Sequence, residues 1–166
     1  MCLAGKQKGF SLLEVLVALF ILSTGLIGLA GLQLQGIKEG RDAYYRTQAI
    51  LLSSSISEQM RTNTGAVQAG HYQLASSQFT MSCYTVTGCT AVELAGHELA
   101  LWQQIVSERL PTGGAVVCRD STPQDGSGVM AAACDASGNG YVAKIWWDDD
   151  QDTATDQQRL SMPFIP

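Results

Sequence analysis

Charge is almost missing from the first part of this chain. Between Lys8 and Lys38 the only ionisable side chain is that of Glu14, and residues 15–34 contain none. At about 1.5 Å of rise per residue, a helix over that stretch spans roughly 30 Å, which is the thickness of the hydrocarbon core of a bilayer. The sequence therefore predicts one membrane-spanning helix over about residues 15–34.

The sequence also lacks the motifs of common catalytic and metal sites. It contains no GxSxG nucleophile elbow, no HExxH zinc motif and no phosphate-binding loop. The CxxC spacing of zinc sites is absent, and neither His71 nor His97 stands in a ligand-spaced motif, so we expect both histidines at the surface. We predict a protein that is not an enzyme and that has no cofactor.

Positive charge is scarce, since the formal net charge is −5. An acidic chain has no electrostatic footprint for nucleic acid, so we expect no nucleic-acid partner. Two of the few cations, Lys6 and Lys8, directly precede the apolar stretch, and such cations stay on the cytoplasmic side of a membrane. The chain after residue 34 is therefore expected in the periplasm or outside the cell.

Glu14 stands at the edge of the apolar stretch, where its own segment supplies no cation. A carboxylate costs about 2.5 kcal/mol or more at the centre of a bilayer, so a group outside this chain is expected to neutralise it. The basic segment before it ends at Gly9, whereas a secretory signal is cut after its apolar region. We therefore expect cleavage between Gly9 and Phe10, which leaves the apolar helix on the mature chain.

The order Lys-Gln-Lys-Gly9, Phe10-Ser-Leu-Leu-Glu14, then Val-Leu-Val-Ala-Leu resembles the N-terminus of the type IV pilin and pseudopilin family. The resemblance implies that a prepilin peptidase removes residues 1–9 and methylates the new amine, giving N-methylphenylalanine at Phe10. It further implies that Glu14 pairs with the amine of a neighbouring subunit during assembly. A simple signal anchor with a stray glutamate is the alternative.

Later motifs narrow the resemblance. Arg-Leu-Pro-Thr-Gly-Gly at 109–114, Val-Val-Cys-Arg-Asp-Ser-Thr-Pro at 116–123 and Tyr-Val-Ala-Lys-Ile-Trp-Trp-Asp at 141–148 are similar to the PilV group of minor pilins. This implies an inner-membrane subunit that primes type IV pilus assembly with other minor pilins, a tip adhesin and the major pilin. A type II secretion pseudopilin and a membrane-anchored periplasmic binding protein remain alternatives. An abundant shaft pilin is disfavoured because the single C-terminal disulfide-bounded loop usual there is missing.

Four cysteines follow the apolar stretch: Cys83, Cys89, Cys118 and Cys134. An even number in an oxidising compartment predicts two disulfides, for which three connectivities exist. We favour Cys83–Cys89 and Cys118–Cys134, because each pair closes a local loop rich in Gly, Thr, Ser or Asp. The longer loop would contribute about 3 kcal/mol.

The overall pattern predicts an α+β, type IV pilin-like fold. Residues 10–62 read as one spine helix, membrane-spanning in its first half and amphipathic in its second. Its predicted packing face is lined by Ile37, Tyr44, Tyr45, Gln48, Leu52, Ile56 and Met60. Residues 63–166 read as a small domain outside the membrane, with an antiparallel sheet and one further helix at 92–110. Strands are predicted near 78–83, 115–119, 141–147 and 159–164, with Pro163 confining the last to a sheet edge.

Two further features allow alternative interpretations. Asp148, Asp150 and Asp152 have the alternating spacing of a calcium loop, but the mid-loop glycine is missing and Arg159 stands where a glutamate is expected. We expect an acidic solvated turn there, not an ion site. The glycines of the apolar stretch, Gly25, Gly28, Gly31 and Gly36, either lower the barrier to local melting outside the membrane or allow close helix packing within it.

Overall fold

A computed structural model describes residue 9 and residues 11–73, 77–149 and 157–166. The chain divides into two compact units, Met1–Arg41 and Asp42–Pro166. Helix α1, Leu12–Thr62, runs through both, so the predicted long helix is confirmed. In the described part of the first unit it is the only element, and its side chains are exposed throughout. Among the described helices, α1 alone is long and apolar enough to cross a membrane.

The second unit adds two helices and one sheet to the end of α1. A short helix α2, Thr64–Gln68, follows directly, and a 3-10 turn, Met81–Tyr84, precedes helix α3, Ala91–Arg109. Strands β1, Gly114–Arg119, β2, Tyr141–Trp147, and β3, Gln158–Phe164, form an antiparallel sheet in the order β1-β2-β3. The predicted α+β architecture is confirmed, and the helix α2 is an addition to it.

Apolar side chains of α1, α3 and the sheet form the main core. Strand β2 is buried along its whole length, because it is central in the sheet and covered on both faces. Trp102 of α3 is 2% exposed, and its indole nitrogen donates to the carbonyl of Leu52 in α1 at 2.8 Å. The main cluster includes Ala49, Ile56, Met60, Leu99, Trp102, Val106, Val117, Ala143 and Ile145.

The ends of α3 follow from local sequence. Thr90 and Glu93 form a capping box, in which each side chain binds the other residue's backbone amide. At the other end, a Cβ on Gly113 would lie 2.6 Å from the carbonyl oxygen of Val106, so only glycine fits that turn. These two signals set where α3 begins and ends, and α3 contributes Trp102 to the core.

Three sequence predictions were wrong. Residues 78–83 form no strand, since the amide of Gln78 donates to the carbonyl of Gly96 and that of Thr80 to Nδ1 of His97. His97 is therefore buried instead of lying at the surface, and its ring packs between Phe79 and Tyr84.

The third error concerns the packing face of α1. Tyr44 is 54% exposed, whereas the smaller Ala49 and Ser53 are fully buried. The error is confined to Tyr44 and Ile37, since Ile56 and Met60 are fully buried and Tyr45 and Leu52 pack against the core as predicted. The pattern of large apolar residues also missed the small side chains on this face, which let neighbouring elements approach closely.

Candidate assembly site

Helix α1 begins at the residues that the sequence singles out. The carbonyl of Ser11 accepts from the amides of Glu14, at 3.0 Å, and Val15, at 3.3 Å, which places Glu14 in the first helical turn. Gly9 is exposed, and Phe10 lies outside the described residues. A carboxylate in the first turn is stabilised by the positive end of the helix dipole, but this field only partly offsets its transfer into lipid.

Glu14 borders a groove along one face of α1. The groove has a volume of about 330 Å³ and is lined by Glu14, Val15, Ala18, Leu19 and Leu22. Apart from Glu14, every lining side chain is aliphatic. The surface beside Glu14 is therefore apolar and exposed.

No ion pair to Glu14 is found within the described residues of this chain. The side chains around Glu14 on α1 are exposed on every face of the helix in the first unit. The structure thus places Glu14 where a neighbouring molecule can reach it.

The helix is continuous through its glycines. A Cβ added at Gly25, Gly28, Gly31 or Gly36 would meet no atom within 4 Å, so none of these glycines is required by packing inside this chain. Their small size leaves the helix surface open to close approach by another helix, as expected if these glycines allow helix packing within the membrane.

Residues 5–30 match the family model described as the prokaryotic N-terminal methylation motif. No curated protein and no solved structure matches the chain. The matched segment contains Gly9, Phe10 and Glu14 together with most of the apolar stretch. The motif indicates a type IV pilin or pseudopilin, and together with the long apolar helix α1 it fits a membrane-anchored structural protein.

The cysteines of the second unit lie in two pairs at bonding distance. The Sγ atoms of Cys83 and Cys89 are 2.13 Å apart, and those of Cys118 and Cys134 are 1.88 Å apart. This arrangement fits the local pairing favoured from the sequence.

The acidic segment after β2 is only partly described. Asp148 is buried and its amide donates to the carbonyl of Pro111 at 3.1 Å, while Asp150 and Asp152 lie outside the described residues. Arg159 binds the carbonyls of Gln124 and Gly126 in another loop. Within the described residues no three His, Cys, Asp or Glu side chains are grouped as a metal site.

One charged cluster was missed by the sequence analysis. Lys144 of β2 is fully buried and forms ion pairs with Asp120 and Asp125. The available signal was a lysine in the middle of the most apolar strand of the chain, Tyr-Val-Ala-Lys-Ile-Trp-Trp. A buried lysine needs acidic partners, but nothing in the sequence positions of Asp120 and Asp125 marks them as the partners of Lys144.

Proposed function

We propose that this chain is a minor pilin, similar to the PilV group, that takes part in priming type IV pilus assembly. The observation that carries the proposal is the methylation motif at residues 5–30, set at the start of an exposed helix whose apolar part, residues 12–34, has Glu14 as its one acid. The later motifs at 109–123 and 141–148 support the finer assignment to minor pilins.

The subunit is made as a precursor in the inner membrane. A prepilin peptidase removes residues 1–9 and methylates Phe10, while the apolar half of α1 stays in the bilayer and residues 63–166 lie in the periplasm. In the assembled state the subunit joins other minor pilins, a tip adhesin and the major pilin.

Assembly relieves the cost of Glu14 in the membrane. A charge-assisted hydrogen bond to the amine of a neighbouring Phe10 is stronger than a neutral one, and the surrounding apolar helices exclude water from it. The groove beside Glu14 allows the neighbouring helix to come close, so the carboxylate also sets the register of the two helices.

Substitution of Glu14 tests this role. Glu14→Gln keeps the shape and removes the charge, and Glu14→Ala removes both. Each variant should reach wild-type protein levels, because Glu14 makes no ion pair with a described residue of its own chain, but should fail to co-purify with other pilins or to restore pili in a deletion strain. Glu39→Gln is the matched control, since Glu39 is an exposed acid of the same helix that accepts a hydrogen bond from Gln35.

Wild-type piliation with Glu14→Ala would contradict the proposal, and loss of piliation with Glu39→Gln would show that any charge change in α1 is disruptive.

The same experiment separates the proposed function from its two alternatives. A membrane-anchored binding protein without a filament role tolerates Glu14→Ala. A type II secretion pseudopilin needs Glu14 as well, but its loss impairs protein secretion and leaves pili unchanged.

A further inference from the structure

Lys144 lies at the centre of β2 with its side chain fully buried. Its amine donates to Oδ1 of Asp125 at 2.7 Å, to the carbonyl of Ala132 at 2.8 Å and to the carbonyl of Asp125 at 3.2 Å. It is also in direct contact with Oδ2 of Asp120. One amine is therefore held between two carboxyl groups inside the domain.

Asp120 is the more unusual of the two acids. Its side chain is fully buried, and its Oδ1 accepts from the amide of Thr122 at 3.1 Å, which fixes the orientation of the carboxyl group. Its Oδ2 has no hydrogen-bond donor among the described residues although the amine of Lys144 touches it. The amine is thus against the carboxyl group without being aligned as a donor to it.

The surroundings disfavour the two charges. Val116, Ala132 and Trp146 form a buried apolar cluster on the same side of the sheet, and the loop that covers it is closed by the Cys118–Cys134 pair. Burying an ion pair costs several kcal/mol per ion, which its attraction repays only with good geometry. A reaction that removes both charges would remove this cost.

We propose that Lys144 and Asp120 join in an intramolecular amide bond. In this step the amine nitrogen of Lys144 forms a bond to Cγ of Asp120, and the bond from Cγ to Oδ2 breaks. The ammonium loses two protons, which leave with that oxygen as one water molecule, so the positive and negative charges cancel and no other reactant is needed.

Asp125 carries the protons in this step. Its Oδ1 is 2.7 Å from the amine, so it can take the two protons in turn and pass each to the departing oxygen, which leaves as water. Transfer of the first proton frees the nitrogen lone pair, and the second leaves the nitrogen after the bond to Cγ has formed. Its side chain is 44% exposed, so it also connects the buried pair to solvent, into which the water is released. Well-oriented intramolecular reactions reach effective molarities of about 10⁵ M. The contact between the amine and the carboxyl group of Asp120 holds the two reacting groups together for this step.

The product would join the central strand to the segment just after β1. The Cys118–Cys134 disulfide already links the end of β1 to the covering loop, but reduction breaks a disulfide and leaves an amide bond intact. The amide would give the domain one covalent link that, unlike its two disulfides, does not depend on redox state.

Mass analysis of the full chain in detergent tests the proposal. The intact protein should be lighter, by the mass of one water molecule, than its sequence with two disulfides and the same N-terminus. After reduction and proteolysis, a peptide containing residue 120 should remain joined to one containing residue 144. A wild-type chain with no mass deficit would overturn the proposal.

Matched variants identify the bond. Lys144→Arg and Asp125→Ala should restore the full mass, whereas Asp120→Asn should lose ammonia in place of water, because the leaving group is then the amide nitrogen. Lys38→Arg is the control, since Lys38 is an exposed lysine of α1, and should keep the deficit. A deficit that persists in Lys144→Arg would show dehydration of an aspartate within its own backbone and would also overturn the proposal.

Discussion

The hydroxyl of Tyr72 donates to Oε2 of Glu98, and this pair links the segment after α2 to the middle of α3. Burial is the main cause that raises the pKa of Glu98, while the hydrogen bond from Tyr72 and the nearby His97 lower it by less. Burial, together with Glu98, also raises the pKa of the Tyr72 hydroxyl. The folded domain therefore holds the proton of Glu98 to higher pH than the unfolded chain does.

This shift gives the domain a pH-dependent stability. Because the folded pKa of Glu98 is raised above its unfolded value of about 4.3, its contribution is fully present below that value and is lost as pH rises through the folded pKa. Glu98→Gln keeps an acceptor for Tyr72 and removes the titration. In denaturant unfolding from about pH 4 to pH 7, its free energy of unfolding should fall less than that of the wild type.

Glu108→Gln is the control for this comparison, because Glu108 is an exposed acid on the same helix that binds Gln104. An equal pH dependence of wild type and Glu98→Gln would contradict the assignment.

Individual residues were predictable only where a local motif defines them. Gly9, Phe10 and Glu14 could be singled out because the motif is defined by spacing along one segment, and the family model covers the same residues. The burial of His97 depends on Thr80, which is distant in sequence, and the ion pairs of Lys144 depend on a loop that folds over β2. Neither is encoded in a short pattern, so the sequence alone did not identify them.

At the scale of elements, α3 shows how local signals determine a boundary. The sequence predicted this helix from its apolar periodicity and the Pro-Thr-Gly-Gly stop, and the structure adds the capping box that starts it. Strands β1, β2 and β3 were predicted for similar reasons, since β-branched and aromatic residues mark them. The segment 78–83 also contains an aromatic and a β-branched residue, Phe79 and Thr80. The amides of Gln78 and Thr80 bind α3 instead of a strand, and composition does not distinguish these two partners.

The capping box makes a measurable prediction. Thr90→Ala removes the acceptor for the amide of Glu93 and should lower the free energy of unfolding by about 1 kcal/mol. Thr90→Ser keeps a hydroxyl and should stay close to wild type. Thermal or denaturant unfolding of the full chain in detergent measures both, and equal losses in the two variants would show that the cap is not responsible.

At the scale of the whole molecule, the two units differ in what their sequences reveal. The first unit carries the N-terminal methylation motif, so a type IV pilin or pseudopilin could be predicted from residues 5–30. The second unit was predictable as an α+β domain, but its partners depend on surface contacts that no short motif specifies. The function inferred for the molecule therefore depends mainly on its N-terminal segment.

Processing at Gly9 is the event on which this function depends. In cells with an active prepilin peptidase, the intact mass should correspond to a chain that begins at Phe10 and carries one methyl group. Gly9→Val should block cleavage, because the peptidase must accept the residue before the cut, and should leave the precursor in the membrane. Gly9 is exposed and a Cβ there meets no atom within 4 Å, so this substitution does not disturb the described fold.

Gly5→Val is the control for this test, because it changes the same segment away from the cut, and it should be processed normally. A wild-type chain that begins at Met1 would show that the segment is a permanent anchor and that no amine at Phe10 exists for a neighbouring Glu14 to bind.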